Sequence, residues 1–111
     1  MLDRTTKYII LYDIYQELLT DKQKRYTELY FQDDLSFTEI AEEFNISRQG
    51  AYEHIKRTEE ILDEYEEKLK LFEKYQVRQK IIADIENILT NPNENNYLEI
   101  MEQITLLKRI D

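Results

Sequence analysis

LSFTEIAEEFNISRQGAYEHIKRTEEIL, running from Leu35 to Leu62, is the stretch on which the fold turns. Ser36 followed three residues later by Glu39 is a capping-box pattern and opens a helix. Phe37, Ile40, Ala41 and Phe44 recur at helical steps and mark its apolar face. Ala41 is small at the point where a second helix must cross closely, and Asn45 tolerates the left-handed backbone that a sharp corner demands. Ile46 plugs the corner, Ser47 caps the next helix, and Ala51, Ile55, Thr58 and Leu62 share that helix's buried side. Two helices joined this way, with polar side chains left over at the start of the second, are what a helix-turn-helix uses to enter a DNA major groove. An ordinary helical hairpin inside a bundle is the rival reading.

Outward from this stretch the pattern stays helical. Upstream, Tyr8, Leu11, Tyr12, Tyr15, Leu18 and Leu19 form one stripe and predict a helix over Arg4 to Leu19. Thr20 with Gln23 repeats the capping box, and a second helix carrying Tyr26, Leu29 and Tyr30 inward ends near Gln32 to Asp34. Downstream, no Gly or Pro interrupts the chain from Ala51 to Asn91, and Leu62, Tyr65, Leu69 and Phe72 prolong the stripe. Its phase then slips to Leu71, Tyr75, Ile82, Ile85 and Leu89, which predicts a break near Glu73 to Val77. Asn91-Pro92 is a stop-and-restart signal before a last helix with Tyr97, Leu98, Met101, Ile104 and Leu107.

Gly50 and Pro92 are the only helix breakers in 111 residues, and no alternating, turn-bounded run suggests a strand. The expected fold is all-α: a helix-turn-helix domain over residues 1–60, with its motif at 36–57, and a helical extension over 61–111 that serves oligomerisation. Long apolar stripes in that extension exceed what one short hairpin covers, which predicts a homodimer.

Composition narrows the function. Without cysteine there is no disulfide framework, thiolate zinc site or catalytic thiol. No apolar run approaches the roughly 20 residues that cross a bilayer, and the N-terminus MLDRTTKYIILYDIYQ lacks a signal-peptide pattern, so a cytoplasmic protein without membrane insertion is expected. A lone Gly50 makes no phosphate-cradling loop and no nucleophile elbow is present, so neither catalysis nor a cofactor is expected. His54 is the single histidine, reads as a hydrogen-bonded residue bordering the core, and makes a zinc site improbable. The acidic pairs Asp33-Asp34, Asp63-Glu64 and Glu66-Glu67 read as solvated helix faces rather than magnesium sites. Tyr8, Tyr12, Tyr15, Tyr26 and Tyr30 lie on apolar faces and read as packing residues with hydroxyls at the rim.

The candidate readers sit on the second motif helix. Arg48 offers a bidentate donor pair for guanine and Gln49 a pair for adenine. Tyr52, one turn on, can reach a phosphate or a thymine methyl, and Lys56 and Arg57 lie near backbone phosphates. Ser36, Thr38 and the capping Ser47 complete the DNA-binding set, since helix N-termini clamp phosphate. From Arg48 to Arg57 the local charge is only +2 (Arg48, Lys56 and Arg57 against Glu53), within a chain of net charge −9. Long-range attraction to DNA is therefore expected to be weak or repulsive, and by analogy with other readers a useful operator affinity needs two copies on half-sites about 34 Å apart. The same residues have a plainer reading as a solvated surface, with Arg48 paired to Glu42 or Glu43 and Lys56 and Arg57 in intrahelical pairs.

Leu35 to Phe44 resembles the first motif helix of region four of bacterial sigma factors and of LuxR-type readers, and Ile46-Ser47-Arg48 with His54-Ile55 resembles their recognition helix. Over nearly its whole length the chain is similar to the YlxM family of small bacterial helix-turn-helix proteins. The Tyr8-to-Tyr15 helix, the Asp21-to-Asp33 segment with Tyr30-Phe31, the motif Phe44 to Gly50 and the acidic stretch after Leu62 carry that likeness. The resemblance implies a sigma region-4-like fold. Genes of that family lie beside those of the signal recognition particle, so it also implies a regulatory or accessory role in protein targeting. Two functions follow as expectations: a DNA-binding regulator, or a module that binds protein or RNA components of the signal recognition particle and keeps the helix-turn-helix as scaffold.

Overall fold

A computed structural model describes residues 2–90 and 96–110, and those residues form six α-helices with no strand among them. They divide into two compact units, Met1–Lys70 and Leu71–Asp111.

The first unit holds four helices. α1 (Arg4–Tyr15) starts at Asp3, whose carboxylate accepts the Thr6 N–H at 2.7 Å, and closes in a tighter 3₁₀ turn, Gln16–Leu18. α2 (Asp21–Thr27) opens on the complete Thr20–Gln23 capping box and runs into a wider π-helical turn, Glu28–Gln32. That turn buries both Leu29 and Phe31, leaving Tyr30 half-buried, so Phe31 takes the inward place that a regular helical period assigns to Tyr30. α3 (Phe37–Phe44) and α4 (Arg48–Leu69) follow. Leu11, Tyr15, Tyr26, Ile40, Ala51, Ile55 and Leu62 are almost wholly removed from water and form the centre of the core. At about 1.5–3 kcal/mol for each large apolar side chain, this burial is the main force holding the helices together.

The long α4 is held by α1 through a ladder of polar rungs. Arg4 Nη2 lies 2.5 Å from the Glu59 carboxylate, Tyr8 Oη donates to Asp63 at 2.8 Å, and Tyr15 Oη donates to Glu66 at 2.6 Å. Lys7 adds an ion pair to Asp63 at 3.1 Å, and Tyr65 Oη donates to the Leu18 carbonyl at 3.1 Å. Glu59, Asp63 and Glu66 are thus acceptors for the first helix; Glu59 is buried, Asp63 and Glu66 are half-buried, and Glu64 and Glu67 stay exposed. Past Glu66 the partner helix has run out, and residues 67–70 are all exposed.

The helix ends there. Lys70 adopts a left-handed backbone (φ 55°, ψ 31°) and its N–H closes on the Glu66 carbonyl at 2.8 Å. The break therefore falls at Lys70, ahead of the Glu73 to Val77 window suggested by the phase slip. The two compact units meet at 70/71, and Asp63 and Glu66 of α4 belong to the ladder with α1.

The second unit is a hairpin of α5 (Leu71–Thr90) and α6 (Asn96–Lys108). Its seam uses Ile81, Ile82, Ile85 and Ile88 on one helix and Ile100, Ile104 and Leu107 on the other, all buried or half-buried. Asn96 Nδ2 donates to the Ile88 carbonyl at 3.1 Å. Leu71, Tyr75 and Leu89 of the anticipated stripe, and Tyr97, Leu98 and Met101 of the last helix, are exposed instead. The cap assigned to Asn91 and Pro92 lies outside the described residues.

Candidate nucleic-acid interface

The corner between α3 and α4 is built as its residues dictate. Ser36 Oγ accepts the Glu39 N–H at 3.1 Å, and the Glu39 carboxylate accepts the Ser36 N–H at 3.0 Å, completing the capping box. Asn45 takes the left-handed conformation (φ 55°, ψ 48°), and the Ile46 N–H reaches back to the Ala41 carbonyl at 2.9 Å. This reverse bond satisfies a helix-end carbonyl and turns the chain sharply. Ser47 Oγ then accepts the Gly50 N–H at 2.9 Å. A Cβ on Gly50 would stand 3.1 Å from that oxygen, so the missing side chain leaves the cap room to form. Ala41 and Ala51 are both buried where the two helices meet.

Every side chain assigned to the DNA-facing set is exposed: Ser36, Thr38, Ser47, Arg48, Gln49, Tyr52, Lys56 and Arg57. They are not equivalent. Arg48, Gln49, Tyr52 and Lys56 occupy adjoining positions along the first turns of α4, at helical spacing on its outward side. Gln49 Nε2 donates to Glu53 at 3.3 Å, a long bond at an exposed site that a base edge can replace. Arg57 faces two carboxylates, Glu60 at 3.4 Å and Glu64 at 3.8 Å, so its charge is largely answered within the helix. Ser36 and Ser47 spend an acceptor lone pair on their caps, which leaves each hydroxyl proton to donate outward.

The residue that sequence reasoning undervalued is Phe37. Its place on the apolar face predicts a core residue, yet it is half-buried and forms a bed against which Arg48 and Tyr52 lie. The Arg48 guanidinium sits 5.8 Å from its ring centroid, and Tyr52, 41 % exposed, meets it edge-on at 5.4 Å. Tyr30 stacks on Phe37 at 4.9 Å with the rings 7° from parallel. Arg48 is thereby held against an aromatic face, and Glu43, one of its suggested partners, instead pairs with Arg25 at 3.4 Å. The available signal was positional: the first residue after the Ser36 cap lies one corner away from the start of the second helix.

His54 also differs from expectation. Its side chain is exposed, and its ring stacks on Tyr26 at 4.7 Å with 12° between planes. Tyr26 packs in turn on Phe44 at 4.4 Å, so ring stacking joins the Arg25–Glu43 pair in fastening α2 beneath the motif.

Fold and corner together define a helix-turn-helix protein. The chain belongs to the UPF0122 family, described as "Putative helix-turn-helix protein, YlxM / p13 like", whose profile matches residues 2–104. It is 46% identical over 111 residues to UPF0122 proteins of Bacillus cereus strain AH187 and of Bacillus anthracis strain A0248, covering all of both chains in each case. A UPF0122 protein of Bacillus thuringiensis subsp. konkukian strain 97-27 shows the same 46% identity over the same full length. No helix among the described residues is long and apolar enough to cross a membrane.

Proposed function

We propose that this protein is a DNA-binding regulator that presents the start of α4 to a major groove and acts as a homodimer through its C-terminal unit. The observation that carries the reading is the joint exposure of Arg48, Gln49 and Tyr52 beyond a corner built from Ala41, Asn45 and Ser47. Arg48 and Gln49 supply base-edge donors, Tyr52 and Lys56 reach the backbone, and Ser36, Thr38 and Ser47 offer hydroxyls to flanking phosphates. Because the chain carries −9 overall, affinity rests on this local face and on pairing two copies across half-sites.

The test is binding of the full chain to random genomic DNA at low and moderate salt. Binding is expected at low salt and should weaken as salt rises, since phosphate contacts release counterions. Replacing Arg48 and Gln49 together by Ala should lower that affinity at least tenfold. No binding even at low salt overturns the reading.

A second reading has its own support. The first unit carries 17 acidic against 10 basic residues, net −7, a surface suited to a basic protein partner. In that case the chain is an accessory module of the signal recognition particle machinery, binding its protein or RNA components in the cytoplasm with the helix-turn-helix as scaffold. The Arg48/Gln49 double variant then leaves the activity intact, which separates the two.

A further inference from the structure

The α5–α6 hairpin is too thin to bury its own apolar surface. Among the described residues of this unit only Ile81 and Asn96 are buried, and neither completely. Eight of the twelve large apolar side chains exposed across the described residues belong to it, although it is much the smaller unit. Two helices of 20 and 13 residues make one seam, whereas stable helical bundles surround a core with three or four.

The uncovered apolar surface includes a defined groove. Val77 and Leu106 stand 45% and 46% exposed on its walls, buried Ile81 lies between them, and half-buried Ile110 completes the apolar lining. The cleft measures about 570 Å³. Its polar lining carries both signs, with Lys80 and Arg109 beside Asp84.

We infer that this groove is the dimer surface, and that its occupant is the same groove of a second copy, the two hairpins closing into a four-helix bundle about a twofold axis. The charge pattern selects that occupant. An isologous contact sets each patch against itself, so Asp84 of one copy meets Lys80 or Arg109 of the other. The unit carries seven acidic and five basic residues, net −2, so a strongly charged partner finds no complementary field here, and two copies repel little. The 20-residue α5 is about 30 Å long, which provides length for an extended seam. This inference rests on the dimer of the preceding section and names its surface; it does not depend on DNA binding.

Sedimentation equilibrium of the full chain, without DNA, between about 1 and 100 μM decides it. Wild type is expected to dimerise across this range. Leu106→Glu should raise the dissociation constant at least 100-fold while far-UV circular dichroism stays unchanged. Asp84→Lys, a surface change that spares the hairpin seam, should weaken the dimer about tenfold by setting Lys against Lys. Lys80→Glu/Asp84→Lys together should restore it to within about threefold of wild type. A wild type that stays monomeric at 100 μM overturns both the dimer and its surface. A dimer that Leu106→Glu and Asp84→Lys leave intact overturns this surface alone, and failure to bind DNA touches neither result.

Discussion

Tyr26 shows what a single residue contributes and costs in this motif. Its ring ties α2 to Phe44 and His54, one on each helix of the motif, but its buried hydroxyl has no hydrogen-bond partner among the described residues. A buried, unsatisfied polar group is a standing penalty. Tyr26→Phe keeps both ring contacts and removes the orphan, so it should stabilise the fold by about 1 kcal/mol. Urea denaturation of the two proteins measures this; a loss of stability would mean that the hydroxyl is satisfied. Phe37 teaches a related lesson, since a half-buried aromatic here orients a cation and a tyrosine more than it fills space.

At the scale of elements, α1 and α4 are matched rung by rung, and the first rung is sensitive to pH. Burial pushes the Glu59 carboxyl above its ordinary value of 4.5, and the attraction of Arg4 offsets this without cancelling it. An acid whose folded pKa is raised binds its proton more tightly in the folded state. Its contribution is therefore full below pH 4.5 and declines as pH rises through the folded value. Relative to Glu59→Gln, which does not titrate there, wild type should be favoured more at pH 4 than at pH 7. Urea midpoints of both proteins at the two pH values test the sign, and an advantage that grows toward pH 7 would contradict it. The corner between α3 and α4 is the other decisive junction, because Asn45 accepts at one residue a conformation that costs most side chains about 1–2 kcal/mol.

Across the whole molecule, tyrosine is the dominant core aromatic, and this shapes its behaviour in alkali. Burial, followed by the hydrogen bond to Asp63, pushes the Tyr8 hydroxyl well above its ordinary value of 10.0. Burial does the same to Tyr12, with the Glu28 charge adding to it, and to Tyr26. All three folded values lie above the unfolded one, so the stability they carry is complete below pH 10 and is lost as pH climbs through them. Denaturant midpoints should fall steadily above pH 10, with tyrosinate absorbance from these rings appearing together with loss of helix. Ionisation of all the tyrosines with the fold intact would exclude this account.

Capping boxes, the Asn45 corner and the small crossing residue Ala41 were legible from residue type and spacing, because each rests on local backbone chemistry within four or five positions. The buried line Ala51, Ile55, Thr58 and Leu62 was legible for the same reason, through helical periodicity. Asp63 and Glu66 read as solvated charge, since no local pattern announces that Tyr8 and Tyr15, more than fifty residues away in sequence, will meet them. The same distance dependence hid the end of α4 at Lys70, the exchange of Tyr30 for Phe31 and the aromatic bed under Arg48. Residue type and spacing were enough to set the motif helices and their corner, whose causes are local. Which polar groups are partners and which apolar faces stay open emerges from the folded chain alone, because both depend on what is brought alongside from afar.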